Sequence, residues 1–460
     1  MNYKIENAYL LLDTEDGFQV EKKDLYIEDG KIVRIGNANA AKANAAKANA
    51  AKADALNANA AKENAEAREQ PQAMDAGDYQ VINAAHQLVM PGLINMHTHA
   101  YMTVMRNYAD DVDFDEWLFR RVMPVEDQLP KEAAYWSSLL GCMEMIQTGT
   151  TSFVDMHMFH TQSPKAAMQA GMRGFIGRGL VGEDLYGDGY SRFQEALEEK
   201  AAYESDLLKF ILSPHAIYSC SEKLLAQVAE EAQKQKMLKQ IHLSESEAEV
   251  QNAIDKYGKT PVKYLSDLGF LDQDTILAHC VKMRDDDMDI LLRHQANIVT
   301  NPASNAKLGN GFALINEMAA KGLNICIGTD GTASNNTLNM FREMGLLSLI
   351  HKGIAQDSTA APAQFVLHAA TANAAKALSM EGKLGVIAEQ AYTDLIFIDL
   401  HATSLYPNNN IISSLCYSAN GSEVDSVMIN GKFVMRNRKL LTIDAERVYY
   451  EVDKIVKKCL

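Results

Sequence analysis

The sequence predicts an α/β protein in which a (β/α)8 TIM-type barrel is inserted in a small β-sandwich domain built from both chain ends. Three observations carry this. Between residues 88 and 330, eight apolar strand-like runs recur with helical patterns between most of them. Such alternation implies a parallel sheet, and eight strands close into a barrel. Nearly every run ends on a polar or ionisable residue, and five of the twelve histidines (His97, His99, His215, His242, His279) sit at such ends. Short strands with hairpin signals precede the barrel, and strands of the same texture follow it.

The chain of 460 residues is too long for one small core, and its 47% hydrophobic content can fill a large one. Apolar runs stay well short of the roughly eighteen residues a membrane span needs. Met1-Asn-Tyr-Lys-Ile-Glu-Asn7 lacks a basic region leading into an apolar stretch, so no secretory signal is expected. The six cysteines are scattered without a C-x-x-C pair, as reduced thiols of a cytoplasmic protein would be. A net charge of -16 argues against nucleic-acid partners, which call for a basic footprint. Composition leaves a homo-oligomer open.

In chain order, Ala8–Leu12 and Asp24–Glu28 read as strands, and Asp29-Gly30 is a hairpin signal before Lys31–Gly36. From Ala38 an Ala/Asn/Lys pattern repeats with period five and fades towards Pro71. That period matches no helical face and offers no apolar stripe. Residues 38–76 are therefore expected to be a solvated low-complexity insertion, partly helical or disordered. The first barrel strand ends at His99. The other seven are Thr151–Asp155, Gly174–Arg178, Lys209–His215, Leu238–His242, Thr275–His279, Ala296–Asn301 and Leu323–Asp330. Among the helices, Ser221–Lys236 has Ser221 as N-cap and Leu224, Leu225, Val228 and Ala232 on one face. Another starts at Pro130 and runs to Gly149. Past the eight strands come helices near Ala360–Ser379. Asp394–Leu400, Ser426–Asn430 and Lys432–Met435 follow, with Asn430-Gly431 as a second hairpin signal. The expected division is 1–90 and 386–460 for the β-domain and 91–385 for the barrel.

The chemistry is read at the strand ends. His97 and His99 lie two apart, and the strand period of two puts them on one face. With His242 and Asp330 they make three imidazoles and one carboxylate, a set suited to one divalent ion, zinc first and iron(II) or another metal as alternatives. Such an ion would activate water. Glu245, three residues past His242, is placed as the proton shuttle, and His279 can donate to or orient the attacked group. Asp110–Asp115 invites a calcium-loop reading, which fails because Asp115 or Glu116 stands where the loop needs glycine. His157 and His160 read as loop or pocket wall.

Pro91-Gly92 through His99, Glu116-Trp-Leu118 and Pro124-Val-Glu126 resemble the amidohydrolase superfamily. Within it the chain is similar to the 5-methylthioadenosine/S-adenosylhomocysteine deaminases. Ser213-Pro-His-Ala-Ile-Tyr218, Ile241-His-Leu-Ser-Glu245, Ala278-His279, Asn301-Pro-Ala-Ser-Asn305 and Gly328-Thr-Asp-Gly-Thr-Ala-Ser-Asn-Asn336 extend the match over nearly all the chain except the insertion. The resemblance implies His97, His99, His242 and Asp330 as metal ligands. Catalysis would fall to Glu245, His279 and Asp330. Substrate would meet Glu126 at the ribose hydroxyls, with Arg178, His215, Glu245 and Asp330 as further contacts. The place of a second family arginine is taken by Arg192. Ser213-Pro214-His215 lacks the bridging lysine that two-metal members use, which favours one metal.

The expected function is therefore hydrolytic deamination of an adenosine-type nucleoside, a small-molecule substrate. The rival is another hydrolase of the superfamily, such as a guanine or other heterocycle deaminase or a chlorohydrolase. A barrel retired from catalysis would not keep every ligand and the proton shuttle. Deaminases that edit nucleic-acid bases are excluded, because their His-x-Glu and Pro-Cys-x-x-Cys are missing.

Overall fold

Two Asx-Gly turns fasten the chain ends to one another. In the computed structural model, which describes residues 1–37, 79–284 and 286–460, Asp29 and Gly30 have φ of 47° and 77°, and Asn430 and Gly431 have φ of 48° and 74°. Positive φ at both central residues matches the right-handed twist of a two-residue hairpin. The turns also touch: a Cβ on Gly431 would lie 2.7 Å from Gly30 Cα, so neither glycine has room for a side chain.

The first turn joins β2 (Gly17–Glu28) to β3 (Lys31–Asn37), after β1 (Tyr3–Thr14) has paired antiparallel with β2. These strands are longer than the sequence indicated, because half-buried polar residues such as Glu21 and Lys23 continue the ladder. Next come β4 (Gln80–Asn83) and β5 (Gln87–Pro91), both parallel to β1. The low-complexity expectation for 38–76 lies outside the described residues.

The barrel comprises β6 (Leu93–Thr98), β7 (Thr150–His157), β8 (Arg173–Leu180), β9 (Leu208–Pro214), β10 (Lys239–Leu243), β11 (Thr275–His279), β12 (Asn297–Thr300) and β13 (Asn324–Ile327). Each is hydrogen-bonded in parallel to the next. Met96, Val154, Phe175, Ile211, Ile276, Val299 and Cys326 fill a buried core shared with Leu378 and Leu384. Each large apolar side chain fully buried there is worth roughly 1.5–3 kcal/mol. The seam between β13 and β6 is closed by Asp330 N–H donating to His97 O at 2.9 Å, and by Asn95 bonded to both the backbone and the hydroxyl of Thr329. The sequence carried the last strand to Asp330, whereas β13 ends at Ile327. Asp330 has φ of 62°, a left-handed conformation that turns the chain out of the sheet and aims its carboxylate inwards.

Around the barrel, Ser221 Oγ accepts Leu224 N–H at 3.1 Å and caps the helix Glu222–Gln235, whose Leu224, Leu225, Val228 and Ala232 are buried. Loss of such a cap costs about 1 kcal/mol. Pro130 is the residue before the helix Lys131–Gln147 rather than within it.

Beyond the barrel, β14 (Leu395–Asp399) pairs antiparallel with β5 and with β15 (Val424–Ile429), which β16 (Lys432–Arg436) and β17 (Lys439–Leu440) extend. Strands from both chain ends thus share one nine-stranded sheet, continuous through β5 and β14. It bends enough for Tyr3 on β1 to meet Phe433 on β16 edge to face, ring centroids 5.7 Å apart. Arg173 at the start of β8 pairs with Asp394, Nε to Oδ2 at 2.6 Å, and joins the sheet to the barrel. Among the described residues no helix is long and apolar enough to cross a membrane.

Candidate active site

His97 and His99 come from β6 and the residue just after it, both pointing into the barrel mouth as the period of two requires. His242 enters from β10. Its Nε2 lies 3.1 Å from His97 Nε2 and 3.3 Å from His99 Nε2. Asp330 Oδ1 is 3.4 Å from His97 Nε2 and 3.3 Å from His99 Nε2. Two donors held tetrahedrally at a metal–nitrogen length of about 2.0–2.1 Å stand about 3.3 Å apart, so this spacing fits one ion at the centre.

The outer nitrogens fix the tautomers. His99 Nδ1 meets Met156 O at 2.7 Å, His242 Nδ1 meets His215 O at 2.7 Å, and His97 Nδ1 meets Gln240 Oε1 at 3.2 Å. Each acceptor is a carbonyl oxygen, so each Nδ1 carries the proton and each Nε2 presents a lone pair. Three lone pairs converging on a carboxylate oxygen repel one another unless a cation lies among them. Burial lowers the pKa of His97 and of His242. Burial also opposes charge on His99, but the Asp330 carboxylate outweighs it and lifts His99 to about 8. Burial thus favours neutral rings at His97 and His242, and the Asp330 carboxylate draws positive charge to the centre, a charge that a bound cation would supply. Asp330 Oδ2 accepts hydroxyls of Ser304 and Ser334, both at 2.7 Å, which leaves Oδ1 for the cluster.

Glu245 stands beside this group. Asn310 Nδ2 donates to its Oε1 at 3.0 Å, and His279 Nε2 is 3.7 Å from its Oε2. Burial pushes Glu245 up to about 8, helped by the Asp330 carboxylate and opposed by His99 and Asn310. A carboxyl so placed keeps its proton near neutral pH. His279, at φ of 75°, has Nδ1 3.0 Å from Asn305 Oδ1, and burial lowers its pKa.

His99, His242, Glu245, His279 and Asp330 face one cavity of about 520 Å³, a size suited to a small molecule, with His97 buried behind them. His215 lines it, with Nδ1 2.9 Å from Ser219 Oγ, and burial lowers its pKa to about 3, so the ring is neutral. Glu126 also lines the cavity and accepts the Tyr101 hydroxyl. The π-helical stretch Glu116–Val122 supplies Trp117, Leu118 and Phe119 to the wall, and Trp117 Nε1 donates to Ala333 O at 3.1 Å. Arg192 also lines the cavity, its Nη1 bonded to Gly179 O at 3.1 Å.

Two expected residues lie elsewhere. Arg178, expected at the substrate, is not among the described residues lining the cavity. Its Nε pairs with Glu195 Oε2 at 2.8 Å and its Nη1 donates to His157 O, because the helix Tyr190–Tyr203 passes beside the end of β8. His157 is buried with Nε2 3.1 Å from Glu199 Oε2, and His160 lies 3.4 Å from Glu198, so both serve a loop and neither reaches the cavity. Asp110 accepts Lys307 and Asn336 in a loop anchor.

Tyr101, Asn310, Glu249, Ser304 and Ser334 were not singled out from the sequence. Glu249 lies four residues beyond Glu245, in the first turn of the helix Glu247–Tyr257, and Ser304 and Ser334 lie within the quoted motifs.

A (β/α)8 barrel with three imidazoles and two buried carboxyl groups at its strand ends is the architecture of a hydrolytic barrel enzyme. A model of the amidohydrolase family matches residues 88–434, and the chain belongs to that family and is a hydrolase acting on C–N bonds. It is 38% identical over 466 residues, covering all of both chains, to a protein of Thermoanaerobacter pseudethanolicus named 5-methylthioadenosine/S-adenosylhomocysteine deaminase. It is 37% identical to one of Methanosarcina mazei named 5'-deoxyadenosine deaminase, with 99% of this chain and 97% of that one covered. The solved adenosine deaminase from Xanthomonas campestris with bound zinc superposes with a TM-score of 0.86 at 26% identity, covering 99% of this chain and 98% of that one.

Proposed function

We propose that the protein deaminates an adenosine-type nucleoside hydrolytically, releasing ammonia and the inosyl product. The observation that carries this is the convergence of three imidazole Nε2 atoms and Asp330 Oδ1 at the barrel mouth, with the Glu245 carboxyl group beside them. Family membership and relatives named as adenosine-nucleoside deaminases support the reading.

His97, His99, His242 and Asp330 would hold one divalent metal, with zinc favoured by the nitrogen-rich donor set. When bound, such an ion supplies Lewis-acid activation of water at neutral pH. The chain's own groups do the rest. Glu245 gives its proton to N1 of the adenine ring, which makes C6 electrophilic, and Asn310 keeps that carboxyl aimed. Asp330 takes a proton from the attacking water, its second oxygen pinned by Ser304 and Ser334, and passes it to the amine, so that the C6–N bond breaks with ammonia leaving while the C6 hydroxyl returns its proton to Glu245. His279 holds the new oxygen at C6. His215 hydrogen-bonds the base, and Glu126 accepts the ribose hydroxyls, for which a carboxylate has enough lone pairs. Walls of aromatic and aliphatic side chains exclude bulk water and strengthen these contacts. A cytoplasmic setting agrees with the free cysteines at all six positions.

The test is a panel of adenine nucleosides, guanine and chlorinated triazines offered to metal-loaded protein, scored by ammonia or chloride release. Turnover confined to adenine nucleosides is expected. Preference for guanine or a triazine would replace this reading with the rival hydrolase.

A further inference from the structure

Glu343 is a buried acid that no step of the reaction uses. It lies in the first turn of the helix Met340–Ala355, is fully buried, and is not among the described residues lining the cavity. Its two oxygens face two different segments. Oε2 accepts the backbone N–H of Ala303 at 2.9 Å, in the stretch that follows β12. Oε1 accepts Asn335 Nδ2 at 2.8 Å, in the turn that follows β13. The same Nδ2 donates to Thr329 O at 2.6 Å, while Arg342 Nη1 donates to Asn335 Oδ1 at 3.3 Å. With its oxygen held by a guanidinium, the Asn335 amide turns its nitrogen to Glu343. Each residue that Glu343 grips is the chain neighbour of one that touches Asp330. Ser304 follows Ala303 and Ser334 precedes Asn335, and both hydroxyls donate to Asp330 Oδ2 at 2.7 Å.

We infer that Glu343 is a positioning residue for Asp330: it clamps the two segments together so that Ser304 and Ser334 hold Oδ2 jointly and Oδ1 stays aimed at the three imidazoles. The inference rests on the reading of Asp330 as metal ligand and base, and adds to that reading a residue from the helix behind the site. Glu343 touches neither substrate nor reacting atoms. A buried carboxyl group is costly to keep, and burial pushes the pKa of this one up to about 7. The cost is offset because two N–H donors from separate segments need two acceptors on one side chain. An amide of the same shape cannot supply them, since one of its two heads is itself a donor. Partners that orient a ligand from behind are worth about 10–100-fold in metal affinity or activity.

The experiment compares wild type, Glu343→Gln, a Ser304→Ala/Ser334→Ala double variant, and the triple variant that combines them. Zinc affinity is measured for each by competition with a chelator, and kcat and KM for 5-methylthioadenosine are measured on the zinc-loaded proteins. Glu343→Gln should weaken zinc binding and lower kcat by about tenfold each. Its KM should stay within about twofold of wild type, because the side chain lies outside the cavity. In the double-serine background the same substitution should cost no more than about twofold in zinc affinity, since the groups it acts through are gone. An equal cost in both backgrounds would make Glu343 a support of the fold alone and would overturn the inference, as would wild-type zinc affinity in Glu343→Gln. The double-serine variant leaves Glu343 in place and should by itself weaken zinc binding at least as much as Glu343→Gln. Wild-type affinity there would overturn the inference even if Glu343→Gln did not fold. Failure of wild type to bind zinc would overturn the reading of the site and this inference with it.

Discussion

The Glu249 carboxyl group accepts the backbone N–H of Glu245 at 2.8 Å through one oxygen and that of Ser244 at 2.9 Å through the other. One buried acid thus holds the chain that carries the other. Ser244 has φ of 50°, a strained conformation that this grip stabilises.

Glu249 gives a pH-dependent prediction. Burial pushes its pKa up to about 8. The folded protein keeps that proton while the unfolded chain releases it near the ordinary value, so the contribution is full at low pH and is lost as pH rises towards 8. Glu249→Gln does not titrate. The difference in Tm between wild type and Glu249→Gln should therefore move against wild type between pH 5 and pH 8, measured by thermal melts across that window. An unchanged difference would contradict the buried protonated acid.

Glu245→Gln should keep the metal and bind substrate within a few-fold, because Gln retains the shape and the acceptor for Asn310. Turnover should fall by about 10²–10⁴-fold, the range for loss of positioned proton transfer. Steady-state kinetics with metal analysis on the same sample checks this. Glu126→Gln should instead raise KM for ribosyl substrates, since one acceptor becomes a donor facing hydroxyls.

Metal content follows the donor set. Wild type should hold one equivalent of divalent ion per chain, and His242→Ala should hold markedly less, because His242 Nε2 lies within 3.3 Å of both other imidazoles. Elemental analysis of dialysed protein decides it. Two equivalents in active wild type would contradict the single centre.

The low-complexity segment should be dispensable. It leaves from Asn37, which pairs with Lys23, and returns before Gln80, which pairs with Tyr3. Those points differ by about four residues along the strands and three strand spacings across, roughly 19 Å, so direct joining would strain the sheet. Replacing residues 38–76 by a flexible linker of about eight residues should leave kcat/KM within about twofold of wild type. A folded, metal-loaded deletion without activity would contradict this.

Much of this site was legible because strand chemistry is local. His97 and His99 share a face by period alone, and the apolar runs before His242 and His279 mark strand ends. Asp330 was harder: its carboxylate reaches the cluster only because three residues beyond β13 turn through a left-handed conformation. Asn310, Ser304 and Ser334 come from loops whose paths no periodicity encodes. The Arg178–Glu195 pair joins a strand end to a helix seventeen positions further on, across an intervening loop, so sequence could place the guanidinium near the mouth without showing what neutralises it. The N-terminal strands were underestimated because their polar, half-buried residues look like loop when no partner strand is in view.

The central claim is hydrolytic attack at C6 of an adenosine, and the most direct measurement is turnover of 5-methylthioadenosine in heavy-oxygen water, followed by mass spectrometry of the product. The account predicts an inosyl product with one heavy oxygen on the purine and an equal amount of ammonia. Free adenine, or a product with no heavy oxygen on the base, would contradict it.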